Sequence, residues 1–147
     1  MALDSCGNEI GRGSTLERET APGSGVFVAI AGMSEFPEPS FTAETGECTD
    51  FDSVGGWKEY YKNGTFDAGQ LALTMFWRSG DAQQSQLYQD FLGLDAQNYR
   101  IVWSDALNTT MTFAGLLIGW GRNTQIAEAI TQPLNFQITG EPQIVPA

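Results

Sequence analysis

The sequence predicts a mainly β fold, a β-sandwich or small barrel with one flanking α-helix. Two patterns carry this. Apolar residues alternate with polar ones over several short runs, such as Leu71, Leu73, Met75 and Leu134, Phe136, Ile138. Turn signals separate those runs at short intervals, many of them among the 17 glycines. Only one stretch has helical spacing. At 147 residues the chain suits one domain, which can bury roughly 70% of its unfolded surface without help from disulfides.

In order, residues 1–25 read as a polar N-terminal arm, anchored by Leu3 and Ile10, with a first strand near Ser14–Arg18 and a turn at Pro22–Gly25. The main body spans 26–142. It opens with a strand over Val26–Ala31 and a turn at Gly32–Ser34. Phe36–Thr45 is a weaker, edge-like strand, because Pro37 and Pro39 cannot donate to a ladder. Glu35, Glu38, Glu44, Glu47, Asp50 and Asp52 then follow with no base among them, so this segment is solvated or repulsive.

The organising stretch is Asp52–Met75. Gly55–Gly56 breaks a strand and Asn63–Gly64 signals a turn, which predicts a long loop over about 51–66. It carries Trp57, Tyr60 and Tyr61 beside Lys58, Glu59 and Lys62. Loops of that length usually have a job, and clustered aromatics point to a docking surface. A strand follows over Gln70–Trp77 with Leu71, Leu73, Met75 and Trp77 on one face.

Asp81 caps a helix over about 82–92, with Leu87 and Phe91 on its apolar stripe, and Gly93 ends it in a left-handed cap. Asn98–Ser104 is a strand and Asp105–Asn108 a turn. Thr109–Trp120 is a long strand, with Met111, Phe113, Gly115 and Leu117 sharing a face. Gln125–Thr139 is the last strand, closed by Gly140–Pro142. Residues 143–147 form a C-terminal tail.

Charge and residue usage exclude several functions. The net charge of -11, from 18 acids and 7 bases, argues against binding nucleic acid by phosphate neutralisation. The same bias suits the wall of a channel that repels DNA. Histidine is absent, which removes the commonest general base and metal ligand. Cys6 and Cys48 lie in no metal-ligand spacing and are expected as reduced structural thiols. The carboxylate pairs Glu17/Glu19 and Asp50/Asp52 are no more than chance gives among 18 acids. A calcium loop starting at Asp50 fails, with Val54 at its fifth position and Tyr61 at its twelfth. Gly11-x-Gly13 and Gly23-x-Gly25 lack the third glycine of a dinucleotide fingerprint. No cofactor or catalysis is expected. The N-terminus lacks a basic start and an apolar run, and the longest apolar patch, Phe113–Trp120, is too short to span a bilayer. These features predict a soluble chain made in the host cytoplasm, without membrane binding.

Several weak motifs then fall in a telling order: Gly13-Ser-Thr-Leu16, the strand Val26–Met33, the acidic segment with Asp50 and Asp52, and Ser53-Val-Gly-Gly-Trp-Lys-Glu59. Asp67-Ala-Gly-Gln-Leu-Ala-Leu-Thr-Met-Phe-Trp77, the single helix, and Pro133-Leu-Asn-Phe-Gln-Ile-Thr-Gly-Glu-Pro142 complete it. In this order, over about residues 12–143, the chain resembles the lambda-like major tail tube proteins of siphophages. The proline-bracketed Glu38 is not typical, and the additional immunoglobulin-like domain of some members is not seen.

The resemblance implies a structural virion protein of the phage tail. Members form β-sandwiches in hexameric rings, whose inner sheets join into a continuous barrel. The rings stack into a conduit for DNA delivery. The loop at 51–66 would reach the next ring through Trp57, Lys58, Glu59, Tyr60, Tyr61 and Lys62. Partners would be other copies, the tail tip or baseplate, the tape measure and the tail terminator, with double-stranded DNA passing without specific binding. Some of Glu35, Glu38, Glu44, Asp67 and Glu128 are expected to face the lumen. Two alternatives stay open: a type VI secretion or gene-transfer-agent tube, and a monomeric carbohydrate-binding β-sandwich that stacks sugars on Trp57, Tyr60 and Tyr61.

Overall fold

The computed structural model describes residues 5, 6 and 11–146, so Leu3 and Ile10 of the expected arm lie outside the described residues. Nine strands and one α-helix make up the described chain. They are β1 (Thr15–Glu19), β2 (Phe27–Ala29), β3 (Met33–Glu35), β4 (Thr42–Glu47), β5 (Tyr60–Asp67), β6 (Gln70–Phe76), α1 (Ala82–Leu92), β7 (Gln97–Val102), β8 (Thr110–Gly119) and β9 (Thr131–Val145). Seven strands form one antiparallel sheet in the order β2-β1-β7-β8-β9-β6-β3, and β4 and β5 form a separate two-stranded sheet.

The strand order forces the sheet to curl. If it lay flat, its edge strands would stand about 29 Å apart, six spacings of about 4.8 Å. Yet those edges, β2 and β3, are joined only by Ile30–Gly32, and the four steps from Ala29 to Met33 reach at most about 14 Å. The sheet therefore rolls until its edges meet. Ile30 N–H donates to Leu16 O of β1 at 2.8 Å, and Gly32 O accepts from Phe76 N–H of β6 at 2.7 Å. One short segment thus bridges both sides of a barrel-like seam. The expected strand over Val26–Ala31 is accordingly shortened to β2, and Met33–Ser34, expected in a turn, lies in β3.

Alternation decides what fills the interior. Leu71, Leu73 and Met75 of β6, Met111, Phe113 and Leu117 of β8, and Leu134, Phe136 and Ile138 of β9 point inward and are buried, as their spacing predicts. Leu16, Tyr99 and Ile101 complete the layer from β1 and β7. Tyr99, Phe113 and Phe136 meet at its centre, with Tyr99 and Phe136 centroids 4.7 Å apart.

The helix has the bounds its pattern predicts. The Asp81 carboxylate accepts from the N–H groups of Gln83 and Gln84 and so satisfies two of the free donors at the helix start. Leu87 is fully buried, and Tyr88, Phe91 and Trp77 surround Trp120 at the end of β8, which clasps the helix to the sheet. Gly93 does not form a left-handed cap; its φ is -74° and its ψ 157°, so the chain leaves the helix in an extended conformation.

The buried face of the helix carries two polar devices that hydrophobic periodicity does not reveal. Gln84 is completely buried. Its Nε2 donates to Ala31 O at 2.8 Å and Phe76 O at 3.0 Å, while its Oε1 accepts from Arg78 N–H at 2.8 Å. It thereby pins the seam, where Gly32, at φ +83°, is required. A Cβ there would sit 2.7 Å from Phe76 O. Two turns later, Asp90 takes a bidentate pair from Arg18 of β1, both contacts at 2.6 Å, and accepts from the Tyr99 hydroxyl at 2.8 Å. Burial, followed by the Asp90 charge, pushes the Tyr99 phenol far above its ordinary range.

Two strands continue where turn signals predict breaks. β5 runs through Asn63–Gly64, and β9 runs through Gly140–Pro142 to Val145. In each case the partner strand continues and two extra residues are absorbed in the register. Ala43–Thr45 faces Phe66–Lys62 in one, and Thr112–Ala114 faces Gln143–Thr139 in the other. Pro142 stands in such an irregularity, where no ladder donor is needed.

Candidate assembly surface

The expected loop at 51–66 is a loop only in its first half. Val54–Gly56 forms one 3-10 turn, and Tyr60–Asp67 is β5, paired with β4 from Thr42↔Asp67 to Glu47↔Tyr60. The element that leaves the body is therefore a β-hairpin with a structured tip. Asp50 Oδ1 accepts from Asp52 N–H, Ser53 Oγ donates to the same oxygen, and Thr49 Oγ1 accepts from Glu59 N–H. Gly55–Gly56 and Asn63–Gly64 give the stretch the local signature of a loop. Cross-strand pairing, a long-range property, makes it a strand.

Every residue of β5 is exposed, and so are four of the six in β4. Such a two-stranded ribbon is marginal in water by itself. It nonetheless carries Trp57, Tyr60, Tyr61 and Phe66 at 78%, 60%, 53% and 71% exposure, with Phe51 and Val54 also exposed at the tip. These aromatics are not equivalent. Tyr61 lies opposite Gly46 and its ring covers that glycine, where a Cβ would fall 2.5 Å from the ring atoms. It stiffens its own hairpin as an aromatic over a glycine does. Trp57 lies against Gly55 but keeps most of its surface open. Phe66 and Phe41 stand at the hairpin base and were not singled out in the sequence, because Phe41 follows a proline-rich run and Phe66 a turn signal.

The hairpin base meets the irregular stretch of β9 in a cleft of about 490 Å³. Phe41, Phe66, Ala68 and Pro142 make its apolar walls, and Asp67 and Glu141 stand at it with the Gly140 backbone. Asp67 is held by Gly69 N–H, which donates to its Oδ1 at 2.8 Å.

The acids expected at a lumen are all exposed, and they lie on separate elements. Glu35 ends β3, and Glu38 follows it beside the buried Pro39. Glu44 accepts from Asn63 Nδ2 within the hairpin, Asp67 stands at the cleft, and Glu128 sits in the 121–130 connection. The outward faces of β6 and β9 carry Gln70, Ala72, Thr74, Asn135, Gln137 and Thr139, all uncharged, with Gln70 Nε2 donating to Gln137 Oε1.

Glu17 and Glu19, one of the carboxylate pairs of the sequence, are each held by other side chains. Glu17 pairs with Arg100, which also lies 4.4 Å over the Phe27 ring. Glu19 accepts from Asn98 Nδ2 and Gly25 N–H; these bonds, Asn98 first, lower its pKa. Asp105 closes its turn through the hydroxyl and N–H of Thr109, which lower its pKa likewise. Cys6 and Cys48 are exposed rather than packed in a core. Among the described residues no cluster of candidate metal ligands occurs, and no helix is long and apolar enough to cross a membrane.

The family model described as Lambda phage tail tube protein matches residues 13–145. No curated protein matches the chain. Among solved structures it is similar to the tail of an empty gene-transfer-agent particle with C6 symmetry, at 17% identity and a TM-score of 0.77, covering 94% of this chain and 99% of that one. The SPP1 tail tube follows at 11% identity and a TM-score of 0.63, covering 92% and 77%. The sheath–tube complex of an extracellular contractile injection system aligns at 9% identity and a TM-score of 0.62, covering 89% and 86%. At these identities the structures share the fold, and the family rests on the sequence match over nearly the whole chain. The chain belongs to the lambda phage tail tube protein family.

Proposed function

We propose that this structural subunit polymerises as hexameric rings that stack through the β4–β5 hairpin, forming the conduit for DNA delivery in a phage tail. The observation that carries the reading is the hairpin itself, exposed on all eight residues of β5 and bearing Trp57 and Tyr60 at 60% exposure or more. A ribbon with that much open apolar surface gains order when another subunit covers it, at about 25 cal/mol per Å² buried. The barrel seam leaves the hairpin's strands as open edges, which suit pairing between copies. A contact between unlike surfaces of identical subunits extends a stack instead of closing it. The sixfold symmetry of the gene-transfer-agent tail supports six copies per ring.

Glu35, Glu38 and Glu128 are the lumen candidates that lie off the hairpin, while Glu44 and Asp67 sit on it. A wall that includes Glu35, Glu38 or Glu128 with the neutral outward face of β6 and β9 would give duplex phosphates no cation to bind. The tail tip, tape measure and tail terminator are the further partners this role requires.

Electron microscopy of the purified protein across concentration and salt tests the reading. Hollow tubes or stacked rings are expected. Trp57→Ala with Tyr60→Ala should keep the native circular dichroism spectrum. Loss of two central anchors, at about 2 kcal/mol each, should raise the critical concentration for tubes by two orders of magnitude or more. Tubes from the double variant at wild-type concentration would remove the hairpin from the contact.

A further inference from the structure

We propose that the cleft at the hairpin base is the receptor for the hairpin tip of a second copy in the next ring, an inference that rests on the stacking role above. The cleft offers apolar walls from Phe41, Phe66 and Pro142 and acidic groups in Asp67 and Glu141. The tip offers the complement. Trp57, with 78% of its surface open, is followed directly by Lys58, and Lys62 lies a few residues along β5. Among the described residues, ion pairs occupy Arg18 and Arg100; Arg12, Arg78, Arg122, Lys58 and Lys62 have no carboxylate in ion-pair range, and of these only Lys58 and Lys62 stand on the hairpin. In a chain of charge -11 with only 7 bases, two available ammonium groups beside the most exposed indole select an acidic, apolar pocket.

A hairpin tip that fills the cleft has to come from another copy. The five steps from Thr42 to Glu47 set the tip about 17 Å from the cleft of its own chain, and the paired strands cannot fold back. The two surfaces differ, so each subunit would give a tip to one neighbour and accept a tip from another. Repetition of that contact propagates along one axis. Trp57 fills the apolar part as a buried aromatic anchor, and Lys58 meets Glu141 at the polar lip.

Charge exchange tests this pairing. Lys58→Glu and Glu141→Lys should each raise the critical concentration for tube formation about tenfold, and the double variant should return it to within about threefold of wild type. In a Cys6→Ser, Cys48→Ser background that forms tubes, Lys58→Cys with Glu141→Cys should give a ladder of covalent oligomers on mild oxidation. A mixture of the two single-cysteine proteins should stop at dimers. Both introduced cysteines are at exposed positions, so folding is not at issue. Tubes that form without the ladder, or single variants that the exchange does not rescue, would overturn the cleft contact and leave the tube role standing. A wild-type protein that never forms rings or tubes would overturn that role and the contact together.

Discussion

Replacing Gln84 with Leu should open the barrel seam without touching the hydrophobic core. The two side chains are close in volume, so the change removes polar contacts more than bulk. Gln84 is fully buried and makes three hydrogen bonds, to Ala31 O, Phe76 O and Arg78 N–H. Phe76 O and Ala31 O flank Gly32, whose own carbonyl completes the closure to Phe76 N–H. Leaving buried groups unsatisfied costs about 1–3 kcal/mol each, and partial access of water at the seam reduces the sum. The expected loss is about 2–4 kcal/mol, a fall in Tm of roughly 5–15 °C for a domain of this size. Near-ultraviolet circular dichroism during thermal unfolding, below the concentration for assembly, reads it directly. Gln84→Glu separates hydrogen bonding from shape. Its buried carboxylate faces two carbonyls, which raises its folded pKa, so the stability lost in this variant should be regained as pH falls through that pKa. A Gln84→Leu variant within about 0.5 kcal/mol of wild type would refute the seam as a determinant of stability.

The Arg18–Asp90–Tyr99 network gives the second stability prediction. Arg18→Met alone should cost about 3–5 kcal/mol because it strands a buried Asp90, and Arg18→Met with Asp90→Leu should cost clearly less; chemical denaturation of both variants checks the order. Glu19 supplies a pH dependence. Its pKa is lowered in the fold, first by Asn98, so the unfolded state binds more protons in acid, and stability should fall as pH drops from 4.5 through the folded pKa. Glu19→Gln should be less stable at pH 7 and show a shallower acid limb in a Tm-against-pH series.

What the sequence made legible was local and periodic. The inward faces of β6, β8 and β9 follow from alternation, and α1 runs from Ala82 to Leu92 because Asp81 caps it and Leu87 and Phe91 share its stripe. What it hid was settled at a distance. β5 contains Asn63–Gly64, a strong turn signal, yet β4 pairs across it and takes up the excess as a register shift. The segment after Gly140 continues because β8 extends to Thr110 and needs a partner. Gln84 flanks the apolar stripe by its spacing from Leu87 and Phe91, but alternation says nothing of what a buried amide or the Asp90 carboxylate would bind; only the backbone groups of the seam and the charge of Arg18 explain their burial. The sequence pointed to the stretch with Trp57 and Tyr60, which the structure leaves exposed, while its hairpin form, the packing of Tyr61 over Gly46 and the cleft residues Phe41, Phe66 and Glu141 needed three dimensions.

The seam and the hairpin solve opposite problems with the same material. A flat seven-stranded sheet would present two open edges, each a template for unregulated pairing. Joining β2 to β3 through Ile30–Gly32 brings those edges together, and Gln84 locks them there. The strands left open are then β4 and β5, which lie outside that sheet and contribute no residue to the buried hydrophobic core. Apolar surface at the hairpin can therefore be tuned for association with little effect on folding, since core and hairpin share few side chains. The separation has a consequence for variants. Changes at Gln84, Arg18 or Asp90 should lower stability and assembly together, because an unfolded subunit cannot add to a ring. Changes at Trp57, Tyr60 or Lys58 should lower assembly alone. A hairpin variant that lost as much Tm as Gln84→Leu would mean that the ribbon stabilises the barrel after all, and that the two functions are not divided as the architecture indicates.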